Sequence, residues 1–502
     1  MSIAFFVLGA ALFAVSAADL WARPYQAGRV WQSFDIIAEL ERAGGVPWET
    51  ELSSMSGGRE PAPFIQEFPI QQYAALLLRR VTAFTVTESG QLIALLVALF
   101  AILVIFAYAR MLPAPWSQRL TLASAVLFIP GFLRYGPMAV PDMNVFLLSA
   151  AGAASIFAGR RRCSERLVVF GAVLIGLTVL AKATALIPAL VVAGTLLYEK
   201  RRTAAAAFAL AALPGLAWAV LATRINPGAA SVNHFARLVG IREYWWNPAL
   251  YLDPWWYRNL AFLLYDTLGV LGITAITLAT ATALKNRQVT EAALLVIPGL
   301  AMSLAFNYHT ASHGYYHLVW LPLSLVTAIE VLAAKWRRAV LAPRIFLIAG
   351  LALVGVAERV YGLVERISGH PEAARQWLAT STVPGDQELR AGIRKLAAAE
   401  SNGFVAYFGD ADVKFHELGI RGWIVHSPNP PNRHLPARVI AAEEWRRVGP
   451  EWVQDRIRRG LTTLLVEQRS QWNNASFLET LARCGLEKRG VLAGHLLFSL
   501  PR

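Results

Sequence analysis

Long apolar runs separated by short polar connections fill roughly the first 365 residues of the chain. A helix needs about 20 apolar residues to cross a bilayer, with a range of about 17–25. Because the runs are continuous and do not alternate in polarity, they predict membrane helices and not barrel strands. Eleven spans are predicted: residues 2–20, 91–109, 120–133, 143–158, 167–180, 184–198, 204–222, 259–283, 291–306, 315–334 and 344–363.

The first of these runs has an alternative interpretation as a cleaved signal peptide, since the small residues at 16–18 fit a cleavage site. No basic residue precedes the apolar stretch, which favours an uncleaved span. Both interpretations leave the loop that follows on the outer side of the membrane.

Basic residues fix the orientation of the predicted spans. Clusters at 160–166, 200–202 and 335–338 fall on one side if the spans alternate, and the positive-inside rule makes that side cytoplasmic. The apolar run 167–198 has basic clusters at both ends. A hairpin of two short helices keeps both clusters inside and predicts that its tip, Lys182, lies on the outer side.

Two long loops, 21–90 and 223–258, fall on the predicted outer side. The first contains two amphipathic patterns, at 33–43 and 69–86, that predict helices lying on the membrane surface. The second is rich in Trp and Tyr, which is typical of an interfacial belt and also of a lid or a platform for a lipid or sugar.

The last part of the chain, residues 366–502, is mixed and polar. Short β-like runs alternate there with helical patterns, which predicts a small extracytoplasmic α/β domain. The fold class is therefore a mainly α, polytopic membrane domain over 1–365 followed by this domain. The predicted strands are at 403–408, 422–426, 462–466 and 494–500.

Composition agrees with that architecture. The chain is 56% hydrophobic and 16% charged, with a mean hydropathy of +0.44, which excludes a disordered or disulfide-scaffold protein. The net charge of +14 is interpreted as a topology signal, and no nucleic-acid partner is predicted. The two cysteines, Cys163 and Cys484, fall on opposite predicted sides, so no disulfide is expected.

Few charged residues are predicted near the outer face of the membrane, and three acidic ones lie at points where the chain enters it. Asp35, Glu67 and Asp142 could each be an ordinary helix-start acid. Together, carboxylates there can bind a divalent cation or remove a proton from an acceptor hydroxyl. Lys182 is a cation at the same depth, and a lipid phosphate is a plausible partner for it.

Histidines at 309, 313 and 317 form a further group. Their spacing suits a metal if a helix continues through all three, but Gly314 argues against such a helix and no HExxH pattern is present. Hydrogen bonding or phosphate contact by His313 is the favoured interpretation.

These residues lie in short motifs that together resemble a known family. The motifs are Glu67-Phe68-Pro69-Ile70, Pro141-Asp142, Leu180-Ala181-Lys182 and His313-Gly314-Tyr315-Tyr316-His317-Leu318. In this order, and with Asp35 in the first outer loop, they resemble the GT-C glycosyltransferases that use polyprenyl-phosphate sugars. The similarity is to the bacterial branch of the protein O-mannosyltransferase and lipid A aminoarabinose transferase superfamily, and it covers about residues 1–365.

The resemblance implies roles for these residues. Asp35 would be the general base, and Lys182 would contact the donor phosphate. Glu67 and Asp142 would shape the site or hold a divalent metal where the family uses one. His313 and Tyr316 would line the same cavity. Aminoarabinose transferases often have Lys where this chain has Phe68, so Arg134 is the expected substitute phosphate contact.

The resemblance also implies a reaction and its setting. A sugar would pass from a polyprenyl-phosphate donor to a lipid, glycan or protein acceptor on the outer face of the plasma membrane. The phosphate is a good leaving group once its charge is neutralised, so one base suffices and in-line attack inverts the anomeric carbon.

Rival functions remain open from the sequence. A transporter or channel would place acids and bases inside the spans or show symmetric repeats. An O-antigen ligase or polymerase would use Arg and His in a large late outer loop, as 223–258 provides. A non-catalytic membrane scaffold is the third alternative.

Overall fold

The computed structural model describes most of the helical region and parts of the tail. The predicted span 344–363 lies outside the described residues. The described residues are 2–22, 28–47, 67–225, 248–336, 404–408, 421–425, 450–458, 460–468, 473–492 and 494–501.

Helices dominate the described residues before 337, as the apolar runs predict. The α-helices are α1 Ser2–Ala22, α2 Gly28–Arg42, α3 Ile70–Val81, α4 Val86–Arg110, α5 Trp116–Ser124, α6 Pro130–Tyr135, α7 Asp142–Arg161, α8 Glu165–Ala181, α9 Leu186–Tyr198, α10 Arg202–Ile225, α11 Pro254–Lys285, α12 Val289–Ala305, α13 Asn307–Ser312 and α14 Leu321–Trp336. Short 3-10 turns lie at Ala125–Phe128, Ala183–Ala185, Pro248–Leu252 and Gly314–Val319.

Within the described residues, four helices are long and apolar enough to cross a membrane by length and composition. Shorter apolar helices, such as α12 at 289–305, accompany them. A mainly helical membrane fold is therefore confirmed, whereas the count of eleven spans stays a prediction. The four long helices are Val86–Arg110, Asp142–Arg161, Arg202–Ala222 and Pro254–Lys285.

The predicted span 120–133 is not one helix. It is divided among α5, a 3-10 turn and α6, with extended backbone at Ile129. Pro130 explains the division, because its ring disfavours helical backbone at the residue before it and suits the first position of a new helix. The prediction of a single span over 120–133 is therefore wrong.

The run 167–198 is broken as the basic clusters predict. Helix α8 ends at Ala181, Lys182 has extended backbone (φ −159°, ψ 119°), and a 3-10 turn leads into α9. The hairpin prediction is therefore confirmed, and Lys182 lies at its tip.

A second break lies inside α11. Gly269 has a positive φ of 61° within this 32-residue helix. A Cβ atom added to it would lie 2.9 Å from Cδ of Pro130. A side chain at that φ would be strained, so glycine is needed for the kink. The kink separates two helical segments of α11 and brings residues 266–269 against α6.

The surface helix expected at 69–86 is shorter than predicted. It ends at Val81 because Thr85 caps the next helix in a capping box with Glu88. One face of α3, including Leu76, is buried, while Leu77 is exposed. That amphipathic arrangement fits a helix at a membrane surface.

Arginines on the predicted cytoplasmic side form ion pairs between helices. The guanidinium of Arg161 on α7 lies 2.6 Å from Glu330 on α14, and Tyr108 also donates a hydrogen bond to this carboxylate. Arg160 lies 2.7 Å from Glu199 after α9. These side chains therefore tie helices together in addition to orienting the chain.

A five-stranded mixed sheet lies in the tail, in the order β2-β1-β3-β5-β4. Strand β1 is parallel to β2 and β3, whereas β5 is antiparallel to β3 and β4. Its core includes Phe408, Phe477 and Phe498. The elements are β1 Phe404–Phe408, β2 Arg421–Val425, α15 Pro450–Arg458, β3 Leu461–Glu467, α16 Ala475–Arg483, β4 Glu487–Leu492 and β5 His495–Ser499.

The chain divides into two compact units. One contains 1–24, 67–221 and 245–366, and the other contains 25–66, 222–244 and 367–502. The first unit contains the long apolar helices and the second contains the sheet. The domain boundary expected near residue 365 stays a prediction.

Candidate functional site

Lys182 is the centre of a buried ionic cluster in the helical unit. Its Nζ lies 2.6 Å from Oδ1 of Asp142 and 3.7 Å from Oε1 of Glu67. The side chains of Lys182, Asp142 and Glu67 are 2%, 0% and 15% exposed. A buried ammonium must be paired, and the shorter contact is a charge-assisted hydrogen bond.

Aromatic rings cover the Lys182 ammonium. Its Nζ lies 4.2 Å from the ring centre of Tyr316 and 5.4 Å from that of Tyr315, within cation–π range. His313 contacts both rings, with centroids 5.3 Å from Tyr315 and 6.1 Å from Tyr316. Four of the predicted motifs therefore meet around one ammonium group.

Breaks in helices position all of these side chains. Glu67 precedes α3, Asp142 begins α7, and Lys182 separates α8 from the turn before α9. Tyr316 lies in the 3-10 turn that separates α13 from α14. Asp142 also gains from its place in the first turn of α7, where the helix dipole stabilises a negative charge.

Two carboxylates, those of Asp142 and Glu67, lie near the ammonium of Lys182. Within the described part of the chain, the Lys182 ammonium donates one hydrogen bond, to Asp142, while Glu67 is beyond hydrogen-bond length. An ammonium has three N–H donors. The cluster can therefore accept a further oxygen ligand at Lys182 if Glu67 moves aside.

Arg134, the expected substitute phosphate contact, lies beside a partner that the sequence analysis missed. Its Nη1 is 2.9 Å from Oδ2 of Asp266 on α11, and both side chains are partly exposed. Its guanidinium also lies over Tyr135, whose ring contacts Tyr315. An acid inside an apolar run is a functional candidate by default, and that signal could have identified Asp266.

Close packing holds Arg134 in this place. A Cβ on Gly131 would lie 2.5 Å from Cγ2 of Thr267, so the two helices can approach only because this residue is glycine. Thr267 in turn donates a hydrogen bond to the carbonyl of Gly314. The Arg134 helix, the α11 kink and the Tyr315 turn are therefore packed together.

The histidine group does not form a metal site. His317 uses both ring nitrogens: Nε2 bonds the Thr310 carbonyl at 3.0 Å, and Nδ1 accepts from the Trp320 indole at 3.3 Å. His309 packs against Tyr316. Along the described stretches of the chain, no three His, Cys, Asp or Glu side chains are grouped to hold a metal.

The two carboxylates at Lys182 also fit a metal poorly as arranged. Both face the same ammonium, so a positive charge already occupies the space between them. The divalent cation that the resemblance allowed therefore has no support from these residues.

Two tryptophans of the expected interfacial belt are buried. Trp256 donates a hydrogen bond to the Asn307 carbonyl at 2.8 Å, and Trp255 stacks on Tyr308. The belt interpretation is wrong for these two residues because they anchor α11 to the α12–α13 connection. Tyr257 remains exposed, as expected for a membrane-facing ring.

Asp35, the predicted base, lies on α2, but its side chain is outside the described residues. Its place relative to Lys182 therefore stays a prediction. The neighbouring Glu39 on α2 pairs with Arg42 at 2.8 Å.

Comparison with solved structures adds the fold relationship. The apo crystal structure of ArnT from Cupriavidus metallidurans matches with a TM-score of 0.54 and 14% identity, over 98% of this chain and 97% of that chain. The chain has the ArnT fold. ArnT bound to undecaprenyl phosphate matches with a TM-score of 0.52, 14% identity and the same coverage.

The arabinofuranosyltransferase AftD from Mycobacteria matches with a TM-score of 0.50 and 15% identity, over 99% of this chain and 41% of that chain. ArnT and AftD share the GT-C fold, which confirms the resemblance at the level of fold. Neither a protein-family model nor a curated protein sequence matches this chain.

Proposed function

We propose that the protein is an integral membrane glycosyltransferase that uses a polyprenyl-phosphate sugar as donor. The observation that carries the proposal is the meeting of four separate motifs at the buried Lys182 ammonium. The ArnT fold extends over nearly the whole chain and includes a structure bound to undecaprenyl phosphate, which supports the same donor class here.

The donor phosphate would bind at Lys182. Asp142 orients the ammonium through its 2.6 Å hydrogen bond. Glu67, at 3.7 Å and partly exposed, is the partner that a phosphate oxygen can replace. His313 and Tyr316 close the site from the aromatic side.

Arg134 would supply the second positive charge. Two cations offset the negative charge that develops on the polyprenyl phosphate as the glycosidic bond breaks. Asp266 holds the guanidinium in place until a phosphate competes for it. A leaving group stabilised in this way needs no general acid.

The acceptor hydroxyl would be deprotonated by Asp35. Attack from the face opposite the phosphate inverts the anomeric carbon, and one carboxylate is enough because no covalent intermediate forms. The acceptor would be a lipid, glycan or protein on the outer side of the plasma membrane. The tail would also lie on that side.

Transfer of a labelled sugar tests the proposal. Mass spectrometry of lipids and glycans from a deletion strain first identifies the sugar that is lost and the polyprenyl-phosphate donor that accumulates. The purified protein is then given that donor with a radiolabelled sugar. A deletion strain with unchanged lipids and glycans would contradict the function.

Asp35→Asn is the decisive variant for the base. We expect it to abolish transfer while leaving membrane insertion and thermal unfolding unchanged. Glu39→Gln, one turn further along the same helix, is the matched control and should keep its activity. Full activity of Asp35→Asn would remove the base assignment.

A further inference from the structure

Two buried polar side chains near the Lys182 cluster have no hydrogen-bond partner among the described residues. They are the amide of Gln71, whose nitrogen and oxygen are both buried, and the hydroxyl of Thr184. Gln71 is 3% exposed and Thr184 is 5% exposed.

Neighbouring hydroxyls on the same hairpin behave differently. Thr178 donates to the Ile175 carbonyl at 2.6 Å, and Thr195 donates to the Val192 carbonyl at 2.7 Å. Leaving a buried polar group unpaired lowers the stability of the folded protein. Unpaired groups in a folded protein therefore require an explanation, and a bound ligand is one.

Both residues are close in sequence to charged residues of the cluster. Thr184 follows Lys182 by two residues, which limits the distance between their Cα atoms to about 7 Å. Gln71 is the second residue of α3 and lies four residues after Glu67. Each unpaired group is therefore close in sequence to a different charged residue of the cluster, Gln71 to Glu67 and Thr184 to Lys182.

The hydrogen-bond donors and acceptors of Gln71 and Thr184 indicate which kind of ligand would pair with them. An amide offers a donor and an acceptor, and a hydroxyl offers the same pair. A phosphate only accepts, so it would leave the Gln71 oxygen unpaired. Two neighbouring hydroxyl groups satisfy both atoms of the amide, because one donates to the oxygen and the other accepts from the nitrogen.

We propose that Gln71 and Thr184 bind hydroxyl groups of the donor's sugar, next to the phosphate contact at Lys182. This inference rests on the proposed function, and it names the residues that select the sugar. The hydrogen bonds missing within the protein are then formed with the substrate.

Apolar variants of similar size test this assignment. Gln71→Met and Thr184→Val should each lower kcat/KM for the sugar donor about ten- to hundredfold, because each variant leaves a buried substrate hydroxyl without its hydrogen-bond partner. Thermal unfolding midpoints should stay the same or rise, because an unpaired buried group has been removed. Thr195→Val is the matched control and should keep full activity.

A binding measurement separates sugar from phosphate. Gln71→Met should bind sugar-free undecaprenyl phosphate as tightly as the unmodified protein and bind the sugar-bearing donor more weakly. Equal weakening for both probes would assign the amide to the phosphate and overturn the inference.

Failure of this inference differs from failure of the proposed function. If both variants keep full kcat/KM, the unpaired groups are only features of the core, while glycosyl transfer still stands. If the unmodified protein transfers no sugar, the proposed function fails. The sugar-binding inference can still be tested in that case, by measuring how much the sugar-bearing lipid raises the unfolding midpoint. If the midpoint rises equally for the unmodified protein and for Gln71→Met, sugar binding by Gln71 is refuted as well.

Discussion

The buried pair of Lys182 and Asp142 gives a prediction whose size follows from its geometry. Their atoms are 2.6 Å apart, and both side chains are almost fully buried. At an effective dielectric constant of about 20, the attraction at that distance is about 6 kcal/mol, much of it offset by the cost of removing both charges from water. Breaking one side of such a pair typically costs about 3–5 kcal/mol.

The two single variants should not be equally harmful. In Asp142→Asn, Lys182 keeps Glu67 at 3.7 Å and the Tyr316 ring at 4.2 Å. In Lys182→Met, both Asp142 and Glu67 lose their contact with the ammonium. We therefore expect Lys182→Met to lower the free energy of unfolding more than Asp142→Asn does.

The double variant is the critical measurement. Removing both charges should cost much less than the sum of the single changes, with a coupling energy of about 3 kcal/mol. Titration with a denaturing detergent in mixed micelles gives the free energies, and Lys285→Met, an exposed lysine at the end of α11, is the control. If the free-energy costs of the two single variants sum to that of the double variant within about 0.5 kcal/mol, the two side chains do not interact as a buried pair.

Two further predictions concern packing and topology. Gly131→Ala should lower the free energy of unfolding by about 1–3 kcal/mol, because its Cβ would lie 2.5 Å from Cγ2 of Thr267. Adding Thr267→Ala should recover part of this loss. An unchanged unfolding midpoint in Gly131→Ala would contradict the close approach of the two helices. An impermeant thiol reagent should label Cys484 in intact cells and Cys163 only after permeabilisation, and labelling of Cys163 first would reverse the orientation. Burial raises the pKa of the Cys484 thiol, so its labelling should be slower than that of exposed Cys163 at equal access and should accelerate as pH rises.

Charge placement was a better guide to the helices than apolar run length. Basic clusters at both ends of one apolar run predicted a break at Lys182, and helix α8 ends at the residue before it. The division at Pro130 was missed because length alone was used for that span. Strand β4 was missed because Glu487, Lys488 and Arg489 make it charged, as suits an edge strand.

The members of the candidate site could be predicted, but their contacts could not. Motif order and membrane side selected Glu67, Asp142 and Lys182, which the structure brings together. The distances depend on backbone breaks that apolar patterns do not specify. Asp266 was missed because it was counted as part of a span, and its pairing with Arg134 depends on the α11 kink.

The site at Lys182 has a consequence for how the chain is made. Asp142 leaves the ribosome 40 residues before Lys182, whereas Tyr316 follows much later. An unpaired charge that enters the bilayer costs free energy, and that cost is smaller at the end of a helix than at its centre. If α7 and the α8–α9 hairpin enter the bilayer together, each charge meets its counter-ion during insertion. The aromatic cover over the ammonium is then the last part of the site to be added, when synthesis reaches the turn before α14.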